Sequence, residues 1–346
     1  MASEDAFGEL VARVRAEVDA RLGPWLATRV GEARSRGADV EAVADAVRSL
    51  VVRGGKRMRA VLLAAAYDAC GGEGGARAVA AAGVALELLQ AYLLVHDDWM
   101  DGDEVRRGGP SVPAMMRARL PEHADAMSVL AGDLAAAWAL EALLEVELPA
   151  PRVLLAAREL ARMEEEVIHG QVLDVRSSAS DPREVEAVYA LKTASYTVRG
   201  PLVMGARLAG ASDGQVTALA AFAVPLGVAF QLRDDVLGTF GDAGATGKPA
   251  GGDLRRGKRT SLVIDALGDA RGSEALRRVL GRADATDAEL ALAVAALEAC
   301  GARARVEARI LALTREARSA LQHAELPPAG HALLERAVAA LTERES

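Results

Sequence analysis

Apolar residues recur along most of this chain at helical spacing, and no stretch alternates as a half-buried strand would. Glu4–Gly31 and Asp39–Val52 read as amphipathic helices, and a Gly54-Gly55 break precedes a third over Lys56–Cys70. Two later runs are apolar on nearly every side. Ala78–Val95 has only Glu87 and Gln90 as polar interruptions, and Val216–Leu232 is almost as apolar. Helices of that kind are buried ones. Further helices are predicted over Pro121–Val146, Pro151–Val175 and Asp181–Leu208. From Thr260 onward the pattern predicts helices broken at Gly272, Ala283–Thr286, Gly301 and Pro327-Pro328. Loops rich in glycine and charge are expected over Asp101–Pro113 and Gly238–Lys258. The reading is all-α, with residues 1–346 as a single domain, because no composition shift marks a linker and no solenoid-length repeat is present.

Composition narrows the class. With 51% hydrophobic but only 3% aromatic residues, the helices must pack through aliphatic side chains. The net charge of −8 gives no basic footprint for nucleic acid. Cys70 and Cys300 show neither metal-ligand spacing nor a disulfide framework, which points to a reducing, cytoplasmic setting. The acidic N-terminus has no apolar signal core. Ala78–Val95 approaches membrane-spanning length, but Glu87, Gln90 and the acids that close it would be costly in lipid. It is expected to be a core helix, with no integral membrane contact.

Those acids are the first candidate chemistry. At about 100° per residue, Asp97, Asp98 and Asp101 share roughly a third of the helix circumference. They repel one another and face the unfavourable end of the helix dipole. A hard divalent cation resolves this, and Mg²⁺ typically takes one or two carboxylates plus substrate phosphates. The second apolar run ends likewise, in Gln231-Leu232-Arg233-Asp234-Asp235. The two acidic pairs are expected to face each other across a cavity and grip metals. Basic segments accompany them: Gly54-Gly55-Lys56-Arg57-Met58-Arg59, Arg106-Arg107, Lys192-Thr193, Gly247-Lys248-Pro249 and Gly257-Lys258-Arg259, with Asp253 between the last two. A basic, glycine-led helix start offers free N–H groups to an anion. The grammar of buried helix, acid pair and basic loop thus occurs twice.

From about Val51 to Ala266 these segments follow one order: Gly-Gly-Lys-Arg-x-Arg, DDxxD with Arg-Arg-Gly, Gly170-Gln171-x-x-Asp174, Lys192-Thr193, Gln231-x-x-Asp-Asp and Gly247-Lys248-x-x-Gly-x-Asp-Leu. In that combination the sequence resembles the trans-isoprenyl diphosphate synthase family, the polyprenyl synthetases, which includes farnesyl and geranylgeranyl diphosphate synthases. The resemblance implies an orthogonal helical bundle around a central cavity. It implies that Asp97, Asp98, Asp101, Asp234 and Asp235 hold about three Mg²⁺ on the diphosphate of an allylic substrate (dimethylallyl, geranyl or farnesyl). It gives that diphosphate the contacts Arg106, Lys192 with Thr193, Gln231, Lys248 and Lys258. Lys56, Arg59, Gln90 and Arg107 match the isopentenyl diphosphate pocket. Metal and cationic groups would stabilise the leaving diphosphate, an allylic carbocation would form in a dry aliphatic cavity, and isopentenyl diphosphate would attack it head-to-tail. A homodimer is implied as well.

Two departures from the family pattern matter. Gly238 stands where a third aspartate is usual, and Asp242 is a stand-in only if the helix persists through Gly241. Weaker binding of one Mg²⁺, with activity kept, is the expectation. Ser111-Val112-Pro113 lacks a histidine often found there. Product length is argued from Tyr92, five residues before Asp97, as the cavity floor with Leu93 beside it. That reading gives a C20 product, with C15 next. Two rivals stand beside it. A class I terpene cyclase would normally carry an Asn-containing second motif, and this chain has no Asn. A non-catalytic partner subunit has Gly238 as its support. His96 and His169 are read as structural.

Overall fold

The computed structural model describes residues 6–176, 179–241 and 251–343. They form two compact units, one of Met1–Ala161, Pro201–Val216 and Leu326–Leu333, the other of Arg162–Gly200, Thr217–Glu325 and Leu334–Ser346.

The first unit is organised around α5. Its elements are α1 (Ala6–Arg34), α2 (Ala38–Val52), α3 (Met58–Ala69), α4 (Gly75–Ala78), α5 (Ala80–Asp101), strands β1 (Val105–Arg106) and β2 (Gly109–Pro110), α6 (Val112–Arg119) and α7 (Ala124–Leu144). The first part of α8 (Ala150–Val175) also belongs to it. Every residue of α5 from Ala80 to Leu89 is buried, as its apolar sequence requires. The one charge in that run, Glu87, is 2% exposed and accepts from Arg57 Nη1 at 2.5 Å. Arg57, itself buried, also donates through Nε to Asp19 at 3.0 Å. A buried pair of this kind holds because both charges are matched, and removing either partner is far costlier than the pair is favourable. Helix α7 buries Ala131, Ala135, Trp138, Ala139 and Leu143 but leaves Leu130, Leu140 and Leu144 exposed on one side.

The second unit comprises the rest of α8, α9 (Pro182–Tyr189), a π-helical segment (Ala190–Arg199), the first residue of α10 (Gly200–Ala209) and most of α11 (Asp213–Phe240). Then come α12 (Gly252–Arg255), α13 (Ser261–Leu267), α14 (Ala270–Leu276), α15 (Asp287–Ala299), α16 (Ala302–Gln322) and most of α17 (Pro328–Thr342). Val228, Ala229, Leu232 and Val236 of α11 pack with Leu262 and with Val306, Ile310 and Leu313 of α16. A capping box at Thr286 and Glu289 starts α15 by satisfying two end groups reciprocally.

By length and composition, Pro121–Leu144 and Asp213–Phe240 could each cross a membrane, yet 44% and 56% of their most apolar windows lie buried in the protein.

The structure corrects several boundaries. The helix expected over Pro121–Val146 opens as a 3₁₀ turn, Pro121–His123, and ends at Leu144. The one expected over Asp181–Leu208 is interrupted by the π-helical segment, whose wider turn no 3.6-residue pattern reveals. Gly272 lies inside α14 rather than at a break. The break falls at Gly268-Asp269, where the Asp269 carboxylate accepts from the N–H groups of Arg271 and Gly272 and so starts a new helix. The loop expected over Gly238–Lys258 begins late, because α11 runs on to Phe240, and it contains α12. Asp242 and Lys248 lie outside the described residues. The Asp101–Pro113 loop holds a hairpin too short for any periodicity to betray.

Candidate active site

The first acidic motif ends α5 in the first unit. Gly102, at φ 67°, stops the helix, and its N–H bonds back to the Asp98 carbonyl. Asp98 is completely buried, Asp97 half-buried and Asp101 exposed. Arg106 donates to Asp98 Oδ1 through Nε at 2.8 Å and through Nη2, and Nη2 also reaches Asp103 Oδ2 at 2.9 Å. Asp98 Oδ2 is buried and has no hydrogen-bond partner among the described residues. Burial pushes the Asp98 carboxyl above its ordinary value. Arg106 opposes this, while Asp103 and Asp97 add to it. A buried, orphaned carboxylate oxygen is costly unless something positive completes it.

Arg106 is placed by the hairpin. Val105 pairs with Pro110 and Arg106 with Gly109. The two turn residues, Arg107 at φ 52° and Gly108 at φ 70°, both lie in the left-handed region, as a type I′ turn requires. Arg53 clamps the turn from α2's end, donating to the carbonyls of Arg106 (2.6 Å), Pro110 (2.8 Å) and Ser49 (2.9 Å). The sequence reading missed Arg53 and Asp103. Nothing in their spacing announces a clamp on a backbone 53 residues away.

The Gly-Gly-Lys-Arg-x-Arg segment divides its cations. Helix α3 begins at Met58, two residues later than the sequence pattern suggests, after Arg57 in a left-handed conformation at φ 52°. Arg57 turns inward to Glu87, whereas Lys56 is exposed and Arg59 half-buried. Arg107 lies beside this segment. Burial lowers its pKa, Glu87 opposes that, and the charges of Arg57, Arg59 and Arg106 lower it further. Three of the cations assigned to a second anion pocket, Lys56, Arg59 and Arg107, therefore gather around one turn.

Of the remaining first-unit candidates, Gln90 and Leu93 are half-buried on α5 and Tyr92 is buried. The Tyr92 ring meets His96 edge-on, 4.9 Å between centroids. His96 Nε2 lies 3.0 Å from the Val129 carbonyl on α7. Its ring occupies the space beside Gly132, where a Cβ would come within 2.2 Å of Nε2. Tyr92 is thus backed by a residue held against α7.

The second acidic motif lies on α11 in the second unit. Asp235 is buried. Its Oδ2 accepts from the Tyr189 hydroxyl and its Oδ1 from Gln231 Nε2 at 2.9 Å. Burial pushes the Asp235 carboxyl up to about 7. Tyr189 and Gln231 oppose this, the Asp253 charge adds to it, and Lys258 opposes it. Gln231, read from the sequence as a substrate contact, here orients Asp235, and Tyr189 went unseen. Asp234 is half-buried. Lys192 sits in the π-helical segment with Thr193 and reaches Asp174 Oδ2 at 2.6 Å. Gly170 on α8 lets that segment approach closely, because a Cβ there would meet the Lys192 backbone nitrogen at 2.4 Å. The Gly170-x-x-x-Asp174 pair therefore seats Lys192. Lys258 Nζ is 3.8 Å from Asp253 Oδ1.

Among the described residues, no three His, Cys, Asp or Glu side chains close around one metal position. The donor set is one of oxygen ligands awaiting further oxygens, which suits Mg²⁺ with a phosphate ligand.

The polyprenyl synthetase family model matches residues 40–297. The chain is 34% identical over 293 residues to the geranylgeranyl diphosphate synthase of Methanosarcina mazei, covering 80% of this chain and 86% of that one. It is 37% identical over 257 residues to the (2E,6E)-farnesyl diphosphate synthase of Mycobacterium tuberculosis, covering 71% and 67%. A crystal structure of geranylgeranyl pyrophosphate synthase from Corynebacterium glutamicum, complexed with isoprenyl diphosphate and magnesium, superposes with a TM-score of 0.87 at 34% identity. That match covers 96% of this chain and 99% of the other.

Proposed function

The chain belongs to the polyprenyl synthetase family, and from that premise we propose that it elongates allylic diphosphates with isopentenyl diphosphate to geranylgeranyl diphosphate. Farnesyl diphosphate is the alternative product. The observation that carries the reading is Asp98, completely buried, with one oxygen held by Arg106 and the other without a partner among the described residues. Such a group is built for a cation that arrives with its own anionic ligands. Asp97, Asp98 and Asp101, and likewise Asp234 and Asp235, are the residues that would hold Mg²⁺, about three ions when substrate is bound. Bound there, the metal supplies charge neutralisation for a departing diphosphate.

The chain's own residues do the rest. Arg106, on its clamped hairpin, and Lys192, on its seated π-helical segment, are both assigned to the allylic diphosphate, and each is held within its own unit before substrate arrives, which is where electrostatic stabilisation is most effective. Gln231 fixes the carboxylate of Asp235, and Thr193, Lys248 and Lys258 supply further diphosphate contacts. Lys56, Arg59, Gln90 and Arg107 hold isopentenyl diphosphate. The allylic C–O bond breaks with its electron pair leaving on diphosphate. The isopentenyl double bond then attacks the allylic carbon, and the proton lost from the adduct passes to diphosphate. Tyr92, buried and backed by His96, and Leu93 beside it set the length limit.

Residues 1–346 act as one functional domain in this reading. The exposed leucines of α7, at positions 130, 140 and 144, suit burial against a second copy in a homodimer. Two free cysteines fit a cytoplasmic protein, and no integral membrane contact is needed.

The test is a primer series. Purified protein receives Mg²⁺, isopentenyl diphosphate and, separately, dimethylallyl, geranyl or farnesyl diphosphate, and the dephosphorylated alcohols are sized. A discrete C20 alcohol is expected. Cyclised hydrocarbon would favour the cyclase reading, and no product with any primer would favour a non-catalytic subunit.

A further inference from the structure

We propose that Arg53 is a positioning residue for isopentenyl diphosphate: it holds the turn from which Arg107 reaches that substrate, and glycine at 109 is the space that lets it do so. The inference rests on the proposed function, because it takes Arg107 as a contact of isopentenyl diphosphate.

Arg53 is the C-cap of α2, at a helix end where backbone carbonyls lack partners. Its guanidinium takes one of them, Ser49, through Nε at 2.9 Å. Its other two arms cross to the hairpin, Nη1 to the Arg106 carbonyl at 2.6 Å and Nη2 to the Pro110 carbonyl at 2.8 Å. Those two carbonyls flank the turn on either side. One planar group thus ties both strands of the hairpin to the end of α2. Gly109 completes the fit. Its backbone lies outside the left-handed region, so conformation does not bar a larger residue there. Arg53 does, because the three nearest atoms to a Cβ at 109 are its Nη1 at 2.6 Å, Cζ at 3.1 Å and Cδ at 3.2 Å.

The two arginines of the hairpin depend on this clamp to different degrees. Arg106 has its own side-chain anchors, Asp98 on Nε and Nη2 and Asp103 on Nη2. Its guanidinium would stay beside the acidic motif even if the turn loosened. The Arg107 guanidinium makes one hydrogen bond among the described residues, a long one of 3.4 Å to the Leu50 carbonyl. It lies over Gly55, where a Cβ would come 3.7 Å from Nη2. It also stands among the like charges of Arg57, Arg59 and Arg106. Its own backbone, at φ 52°, is in a conformation that a residue with a Cβ resists. Strain and repulsion both favour relaxing the turn, and the bonds from Arg53 on either side of it oppose that. The clamp therefore acts on Arg107 more than on Arg106.

The test is steady-state kinetics on the purified full chain in Mg²⁺, with isopentenyl diphosphate varied at saturating geranyl diphosphate and then the reverse. Arg53→Met keeps the length of the side chain and removes its donors. It should lower kcat/KM for isopentenyl diphosphate at least about tenfold, short of the roughly 100-fold that a 1 Å misplacement costs, and leave KM for geranyl diphosphate within about threefold of wild type. Loss of a cation near a diphosphate also weakens binding by charge alone, and Gly109→Ala separates the two causes. It keeps every charge and displaces the guanidinium, so it should show the same split between substrates. Combined with Arg53→Met it should add less than about threefold, because the methyl group then has no clamp to displace. Arg53→Met should likewise add less than about threefold to Arg107→Met, through which it acts. Thermal midpoints establish that each variant is folded, and if Arg53→Met is not, Gly109→Ala carries the test by itself. Isopentenyl kinetics within about threefold of wild type in either single variant would overturn the proposal, as would equal losses for the two substrates or independent, multiplying losses in either double variant. Any of these results from a protein that elongates geranyl diphosphate as wild type removes this inference alone. A wild type that does not elongate removes the functional reading beneath it.

Discussion

Gly170→Ala adds one methyl group to a helix interior, where alanine is normally the better residue by about 1 kcal/mol. Here the methyl carbon would lie 2.4 Å from the backbone nitrogen of Lys192, 2.7 Å from its Cα and 2.8 Å from its Cβ. Ordinary contact for such atoms is about 3.5 Å, so the π-helical segment must retreat by about 1 Å. Overpacking of this kind costs about 1–3 kcal/mol, which the helix-propensity gain partly offsets. The net stability loss should therefore be no more than about 2 kcal/mol. Function should suffer more. Lys192 and Thr193 ride on the displaced backbone, and a misplacement of about 1 Å at a group that positions substrate costs on the order of 100-fold in rate. The expected signature is a large fall in kcat/KM for the allylic diphosphate with a small fall in thermal midpoint, measured by steady-state kinetics and circular dichroism. A variant within about threefold of wild-type kcat/KM would refute the reasoning, because it would mean that the segment moves without consequence or does not need to move.

Other perturbations test other parts of the structure. Glu87→Ala leaves Arg57 buried with Asp19 as its one remaining carboxylate among the described residues, and should cost about 3–5 kcal/mol by urea unfolding. The paired change Arg57→Met with Glu87→Leu should recover most of that loss, and a cost below about 1 kcal/mol for Glu87→Ala would contradict the assignment. Burial raises the Asp235 carboxyl from 3.8 to about 7, so the folded state favours its protonated form. The stability this gives is complete below the unfolded value and is lost as pH rises through about 7. In chelator, the thermal midpoint of wild type should therefore fall more between about pH 5 and pH 8 than that of Asp235→Asn, and parallel curves would count against it. Tyr92→Ala should lengthen the product alcohol; an unchanged product would sink its role as the floor.

The two long apolar helices were readable in the sequence because each presents hydrophobic residues on every side and ends in acids. Burial and chemistry leave the same mark there. Asp97, Asp98 and Arg106 could be singled out because their spacing is local. The contacts that hold such residues in place could not. Arg53 clamps a hairpin far along the chain, Tyr189 reaches Asp235 from another helix, and Asp253 comes up beside Gly238 only once α12 has folded back. Each of these is a tertiary meeting with no periodic trace. Gln231, read from the sequence as a substrate contact, holds Asp235 through its amide. The π-helical segment was invisible for a different reason, because one extra residue per turn shifts a helical pattern without abolishing it.

The most direct test of the proposed activity is uptake of isotopically labelled isopentenyl diphosphate by the purified full chain with farnesyl diphosphate, in Mg²⁺ and again in excess chelator. The account predicts label in a single C20 alcohol in Mg²⁺ and none in chelator. Consumption of farnesyl diphosphate with no label in the product would contradict it.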